Sequence, residues 1–232
     1  MKTKIILSVV IGIIVIAGIA FWYETRPLPV SNVDINTQVN HLNTTPTTET
    51  GTQSVKTLHI VGAESQAQFS LNEVLAGKPT FVVGTTNQVA GDIQVDNTIS
   101  PAKITIGQIK IDAGSLKTDS SERNGAIQRF ILKTNKAGNE YITFNPTSIV
   151  GVPDKIQEGQ AFNYQITGDL TVDGTTKPVT FDAISTLGAD GSFTGSANTT
   201  ITYGDFNVFV PNLSFLANVD KTTKLSISIV AR

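Results

Sequence analysis

The segment that decides the fold is Phe162–Gly174, FNYQITGDLTVDG. Apolar residues or glycine occupy every second position, and polar residues lie between them. The two sets are Phe162, Tyr164, Ile166, Gly168, Leu170 and Val172, and Asn163, Gln165, Thr167, Asp169, Thr171 and Asp173. Successive side chains of a strand point to opposite faces, so this segment predicts a long strand with one dry and one wet face.

A second alternating run follows the Asp173-Gly174 pair and contains Val179, Phe181 and Ala183. Asp-Gly between two alternating runs is a strong hairpin signal. The two runs therefore predict a long antiparallel hairpin with a clean apolar face. Such hairpins are the building units of closed barrels and sandwiches.

Strand signals recur through the rest of the chain. The candidates are Leu58–Val61, Gln66–Leu71, Phe81–Val83, Gln88–Val95, Lys103–Ile111, Tyr141–Ile149, Gln160–Val172, Pro178–Leu187, Ser192–Ile201, Asp205–Val210 and Leu225–Ala231. The isoleucines of Lys103–Ile111 change parity, which predicts a β-bulge at Gly107–Gln108. Only Ser120–Leu132 shows helical spacing, through Ile127, Phe130 and Ile131, with Ser120 or Ser121 as N-cap. The pattern predicts an all-β antiparallel domain with one short helix.

Composition excludes several classes of function. The chain has 232 residues, a formal net charge of −2, no cysteine and two histidines. Disulfides, thiol catalysis and Cys-ligated metals are therefore excluded, and no basic cluster points to nucleic acid. His41 and His59 show no metal-ligand spacing, and no nucleophile–base–orienter set is evident. We expect a protein that is not an enzyme and holds neither a metal nor a cofactor.

The N-terminal residues predict a membrane element. Lys2 and Lys4 precede an uncharged run over residues 5–23, which is long enough for one transmembrane helix. The lysines place the N-terminus in the cytoplasm and the following domain outside it. We therefore predict a signal-anchor over residues 1–23, a disordered linker over 24–56 and a globular domain over 57–232. A cleaved signal peptide ending near Gly18–Ala20 is the alternative and would make the domain secreted.

Two motifs carry a resemblance to a known family. Residues 115–149, SLKTDSSERNGAIQRFILKTNKAGNEYITFNPTSI, and residues 166–182, ITGDLTVDGTTKPVTFD, are similar in order and type to motifs of the YceI-like family. Asn124 stands where that family usually has Asp. The resemblance covers nearly all of Leu58–Arg232. It implies an extended, eight-stranded, lipocalin-like antiparallel barrel whose elongated apolar cavity holds an amphiphilic chain such as a polyisoprenoid quinone.

The apolar face and the aromatic residues supply the predicted site. The expected cavity lining is Phe81, Ile111, Phe130, Phe144, Phe162, Tyr164, Ile166, Leu170, Phe181, Phe206 and Phe209. Asp119 and Arg123, at the strand-to-helix junction, are expected to form a polar gate for a ligand head group. Capping of the helix with a surface ion pair is the structural alternative for these two residues. His59 is expected to be an ordinary strand residue that at most donates to a quinone oxygen.

These observations predict a membrane-tethered, extracytoplasmic binding protein. Its partners would be the membrane and an isoprenoid or other long-chain lipid, which it sequesters or carries. A polyisoprenoid or quinone-like lipid would then be the bound ligand. The alternative is an envelope interaction module whose barrel is filled by its own side chains, as in other small barrels. The sequence leaves the oligomeric state open.

Overall fold

The computed structural model describes Ile35 and residues 55–210 and 216–232. The predicted signal-anchor lies outside these residues, as does nearly all of the predicted linker. Within the described part of the chain, no helix is long and apolar enough to cross a membrane. The features below all belong to one compact unit that spans residues 31–232.

Thirteen strands are present in the described residues. They are β1 (Thr57–His59), β2 (Gln66–Leu75), β3 (Lys78–Thr86), β4 (Val89–Ala90), β5 (Asp92–Asp96), β6 (Lys103–Ile106), β7 (Ile109–Asp112), β8 (Tyr141–Val150), β9 (Ala161–Val172), β10 (Thr175–Leu187), β11 (Phe193–Thr202), β12 (Leu216–Val219) and β13 (Thr222–Ala231). The helix α1 (Ser121–Ala126) continues as a π-helical turn, Ile127–Ile131. Short 3₁₀ turns lie at Gly62–Glu64, Ala113–Ser115 and Tyr203–Phe206.

The strands form a nearly closed antiparallel barrel. The larger sheet has the order β12-β2-β13-β11-β10-β9-β8-β7-β4, and β3 pairs with β2. Two backbone hydrogen bonds between Thr85 and Lys117, of 2.9 and 3.0 Å, bring the two ends of this sheet together. A smaller sheet has the order β1-β5-β6.

The predicted count of eight strands is wrong, because the larger sheet contains ten. Two predicted single runs are also divided between the two sheets. Gly91 separates β4 from β5, and Gly107–Gln108 separates β6 from β7 where a bulge was predicted. Gly107 N–H donates to the carbonyl of Asp92 across this break, at 2.8 Å. The short strand β12, at an edge of β2, was not predicted at all.

The hairpin of β9 and β10 confirms the predicted parity. Val172 pairs with Thr175, and the register continues unbroken to Ala161 opposite Thr186. Tyr164, Ile166, Leu170 and Val172 are buried, whereas Asn163 and Gln165 are exposed. The expected wet position of Asp173 is wrong: its side chain is 4% exposed. A positive φ of 47° takes Asp173 out of the strand alternation, and its carboxylate contacts Lys133 and Asn139.

The predicted short helix is confirmed, and its N-cap is Ser120, whose Oγ accepts from the Arg123 amide at 3.2 Å. Asn124 holds the approach to the helix, because its Oδ1 accepts from the Thr118 amide and hydroxyl at 2.7 and 2.8 Å. The apolar side of the segment, Ile127 and Ile131, packs against a cluster formed at one end of the barrel.

The core has two parts. The helix end is the end that carries α1 and the β9–β10 turn, and its buried cluster includes Leu132, Leu170, Val172 and Phe206. The packed end lies toward the start of β9, where Val89, Ile93, Ile156 and Phe193 are almost completely buried. The packed end is a solid core, whereas the region between the two ends is hollow.

Candidate functional site

An elongated cavity of about 400 Å³ occupies the barrel between the packed end and the helix. Its wall is built from residues of β2, β3 and β6 to β13 and from the underside of the helix. The apolar lining includes Phe69, Leu71, Val82, Ile109, Leu116, Ile127, Ile131, Ile142, Ile201, Leu225, Ile227 and Ile229. The size falls within the range of pockets that bind small molecules.

Eight of the eleven predicted lining residues lie on this wall. They are Ile111, Phe130, Phe144, Tyr164, Ile166, Leu170, Phe181 and Phe206. Phe144 and Phe181 meet edge to face, with ring centroids 5.0 Å apart. Gly168 makes room for Phe144, since a Cβ there would lie 2.7 Å from the ring and 2.5 Å from the Asn145 carbonyl oxygen. Phe130 lines the cavity with half of its surface exposed, so the cavity reaches the surface beside the helix.

Three predicted lining positions are corrected. Phe81 is 65% exposed because its neighbours on β3, Thr80 and the buried Val82, share the opposite face of the strand. Phe209 is 69% exposed and leaves the wall to its neighbours Val208 and Val210. Phe162 is half-buried at the packed end, where its ring stacks on that of Tyr164 at 5.4 Å and does not reach the cavity.

Charged residues meet the cavity at the helix end. Arg123 Nη2 donates to Glu73 Oε1 at 2.8 Å, and Arg123 Nη1 donates to Asp119 Oδ1 at 2.5 Å. Arg123 and Glu73 both line the cavity, whereas the Asp119 side chain is 80% exposed and does not. Burial disfavours the charged guanidinium, but the two carboxylates outweigh it and hold the pKa of Arg123 above its usual value.

Glu73 was missed from the sequence because its role depends on a contact with a residue 50 positions away. The predicted strand also ended at Leu71, whereas β2 continues to Leu75. Arg123 and Glu73 therefore form a buried ion pair, and Asp119 lies at its solvent-exposed edge.

A second polar group lies deeper in the cavity. Tyr164 Oη and Ser185 Oγ are 2.9 Å apart, both side chains are buried, and both line the wall. Burial raises the pKa of Tyr164, and the hydrogen bond with Ser185 offsets this only in part. Tyr164 therefore keeps its proton at neutral pH. Tyr164 was predicted as an apolar lining residue, and Ser185 was not singled out.

Other lining residues belong to a strand that was predicted from its alternation, but they were not included in the predicted site. Leu225, Ile227 and Ile229 alternate with serines along β13, and this alternation is the signal that could have identified them. Phe69 lies directly opposite Gly84, where a Cβ would come 2.1 Å from its ring. An aromatic ring can lie over a glycine on the paired strand, because the glycine has no side chain. Predicting this contact requires the strand pairing to be known first.

His59 lies away from the cavity. Its Nδ1 is 2.8 Å from Asp92 Oδ1, a carboxylate that is almost fully buried, and neither residue lines the wall. Among the described residues, no group of three or more His, Cys, Asp or Glu side chains could hold a metal ion. The chemistry that the cavity offers is apolar contact with a small number of polar groups.

Comparison with known proteins decides the family. Residues 58–231 match the YceI-like domain. The chain belongs to the YceI-like family. The match covers nearly the whole barrel, including the helix, the Arg123–Glu73 pair and the Tyr164–Ser185 pair. A comparison with curated protein sequences gives no match.

Two solved structures share the fold of this YceI-like domain. One is a polyisoprenoid binding domain from Saccharophagus degradans, implicated in plant cell wall breakdown. It is 14% identical, covers 77% of this chain and 98% of its own, and has a TM-score of 0.59. The other is BcnA of Burkholderia cenocepacia, 19% identical, covering 75% of this chain and 99% of its own, with a TM-score of 0.54.

Proposed function

We propose that this YceI-like protein sequesters or carries an isoprenoid or other long-chain amphiphilic lipid in its barrel. The single observation that carries the proposal is the elongated cavity, whose wall is predominantly apolar. Such a wall cannot solvate a polar ligand, whereas burying an apolar chain yields roughly 25 cal/mol per Å². The polyisoprenoid-binding activity of the Saccharophagus degradans relative supports the same class of ligand.

The mechanism that we propose is binding without bond-making. The charged residues of the wall form an ion pair, and the buried hydroxyl groups of Tyr164 and Ser185 are engaged with each other. Neither is an activated nucleophile next to a base. Uptake and release would occur beside the helix, where Phe130 is part of both the wall and the surface.

We further propose that the domain lies outside the cytoplasm, tethered by residues 1–23. The support is in the sequence: Lys2 and Lys4 precede the uncharged run, and Phe21, Trp22 and Tyr23 follow it as an interfacial aromatic group. N-terminal sequencing of the native protein tests this. A mature chain that began near Phe21 would show cleavage and secretion instead.

The lipid-binding proposal is tested with bound ligand. The full-length chain is purified, its lipids are extracted into organic solvent, and they are identified by mass spectrometry. The comparison variant is Ile227→Trp, which fills the cavity from β13. Its matched control is Ser228→Trp, the adjacent residue, whose side chain is exposed.

Lipid that only surrounds the N-terminal segment should be present in equal amounts in all three proteins, because that segment is unchanged. We therefore expect one lipid class in a roughly stoichiometric ratio to protein in the wild type and in Ser228→Trp. In Ile227→Trp this lipid should be lost. Equal lipid in all three proteins would contradict the proposal and would favour an interaction module without a ligand. Circular dichroism confirms that each variant is folded.

A further inference from the structure

The hydroxyl pair and the ion pair of the cavity wall lie far apart along the barrel. Tyr164 is on β9 in the cluster of the packed end, together with Phe193 and Ile156. Val172, eight residues further along the same strand, belongs to the helix-end cluster. At about 3.3 Å per residue, these positions are roughly 26 Å apart. The Tyr164–Ser185 pair therefore lies near the blind end of the cavity, and the Arg123–Glu73 pair lies near the helix.

The blind end is closed behind the hydroxyl pair. Leu187, two residues beyond Ser185 on β10, pairs with Phe193, which is fully buried and does not line the cavity. A ligand that enters beside the helix must therefore stop at Tyr164 and Ser185. Whichever end of the ligand enters first will contact these two hydroxyl groups.

Space for the Ser185 hydroxyl depends on a glycine. Gly195 is paired with Ser185 across β10 and β11, and a Cβ on Gly195 would lie 2.2 Å from Ser185 Oγ. Gly195 also lines the cavity. Any other residue at this position would displace the hydroxyl from its contact with Tyr164. The polar group is thus built by three residues on three adjacent strands.

The Tyr164–Ser185 pair has one hydroxyl hydrogen that is not used in their mutual hydrogen bond. Two hydroxyl groups carry two hydrogens, and one hydrogen lies between Tyr164 Oη and Ser185 Oγ. Their mutual contact is the only hydrogen bond that the described structure shows for either hydroxyl. The second hydrogen is therefore available to an acceptor in the cavity. An anionic acceptor would be disfavoured, because no cation lines this end and an unpaired buried charge costs several kcal/mol.

We propose that Tyr164 and Ser185 bind an uncharged carbonyl oxygen on the leading end of the ligand. The ligand would be a long-chain ketone, amide, ester or similar neutral carbonyl compound, with its apolar chain running toward the helix. The charges at the helix end fit this class, because Arg123 and Glu73 neutralise each other and leave no net cation on the wall. This inference rests on the proposed function and adds the head-group class and the orientation.

The test compares two ligands that differ only in the carbonyl group. A long-chain methyl ketone and the alkane of the same chain length are delivered from cyclodextrin to the full-length chain. Their affinities are measured by displacement of a fluorescent polyprenyl probe. The variants are Tyr164→Phe and Ser185→Ala, each of which removes one hydroxyl. The matched control is Tyr141→Phe, which removes a tyrosine hydroxyl outside the cavity.

We expect both cavity variants to bind the ketone about three- to tenfold more weakly, with alkane affinity and probe affinity unchanged. Tyr141→Phe should leave all affinities unchanged. Equal losses for ketone and alkane, or no loss for either, would overturn the inference and assign the pair a purely structural role. Tighter binding of the fatty acid anion of equal length than of the ketone would also overturn it.

Failure of the proposed function gives a different result. In that case the wild type would bind neither the probe nor the alkane. Because Ser185→Ala removes only one buried oxygen, it provides an independent reading if Tyr164→Phe does not fold.

Discussion

Arg123 on the helix and Glu73 on β2 form a hydrogen-bonded ion pair of 2.8 Å, both on the wall of an apolar cavity. Their side chains are 16% and 9% exposed. Since α1 has only six residues, it cannot hold its position by helix propensity alone. The pair fixes the start of the helix to the barrel, while Ile127 and Ile131 pack over the cavity.

Removing one partner of this pair should destabilise the domain strongly. Arg123→Met leaves Glu73 buried and unpaired, which costs about 3 kcal/mol for buried pairs. Asp119→Asn removes only the exposed partner and should cost less than about 1 kcal/mol. The double variant Glu73→Leu/Arg123→Met should recover much of the loss. Urea unfolding measures the free energy of unfolding of all three variants. Equal losses of stability in Arg123→Met and Asp119→Asn would contradict a buried Arg123–Glu73 pair.

Parity along β9 gives a second prediction. Ile166→Asp or Leu170→Asp places a charge on a buried position of the cavity wall, where it is neither paired nor solvated. We expect loss of folding or of lipid uptake. Thr167→Asp, one residue away, loses a hydrogen bond with Thr180 at the outer surface and should be mild. Thermal unfolding and probe binding measure both effects, and similar tolerance of the two classes would contradict the orientation of the strand.

Gly125 gives a prediction about ligand exchange. We propose that the helix opens to admit and release ligand, since segments that open have low local stability. A methyl group at Gly125 would meet no atom within 4 Å, so Gly125→Ala should stabilise the helix by about 1 kcal/mol. Release of a fluorescent polyprenyl probe should become slower, with little change in equilibrium affinity. A gain in thermal stability with unchanged release would mean that the helix is a fixed cover.

Asp112 predicts a pH dependence of stability. Burial raises the pKa of Asp112, against the effect of hydrogen bonds from the Gly114 and Ser115 amides. The folded state then holds the proton more tightly than the unfolded state, whose pKa is about 4. Stability therefore falls as pH rises from that value through the folded pKa, and remains lowered above it.

Asp112→Asn keeps an acceptor for the Gly114 amide and removes this titration. The variant should be more stable than the wild type at neutral pH, and the difference should shrink as the pH falls toward about 4 and be lost below it. Urea unfolding from pH 3 to pH 7 would show this trend. A difference that grew on acidification would mean that the carboxylate stabilises the fold.

Local sequence determined the parts of this protein that depend on neighbouring residues. The alternation of β9 and β10, the Ser120 cap and the break at Gly107–Gln108 follow from the chemistry of adjacent positions. The same alternation correctly placed Ile166, Leu170 and Phe181 on the cavity wall, because a strand has only two faces.

Tertiary structure decided everything that joins distant residues. Phe81 and Phe209 were expected inside because they are aromatic, yet Phe81 lies on the outer face of β3 and Phe209 lies outside any strand. Which face of a strand turns inward depends on its pairing partners. Glu73 meets Arg123, and Ser185 meets Tyr164, only through the register of the closed sheet. Hollow space likewise depends on how side chains from opposite walls meet. No local sequence pattern contains the distance between opposite walls. Only the folded structure therefore shows that the barrel is solid at Phe193 and open beside the helix.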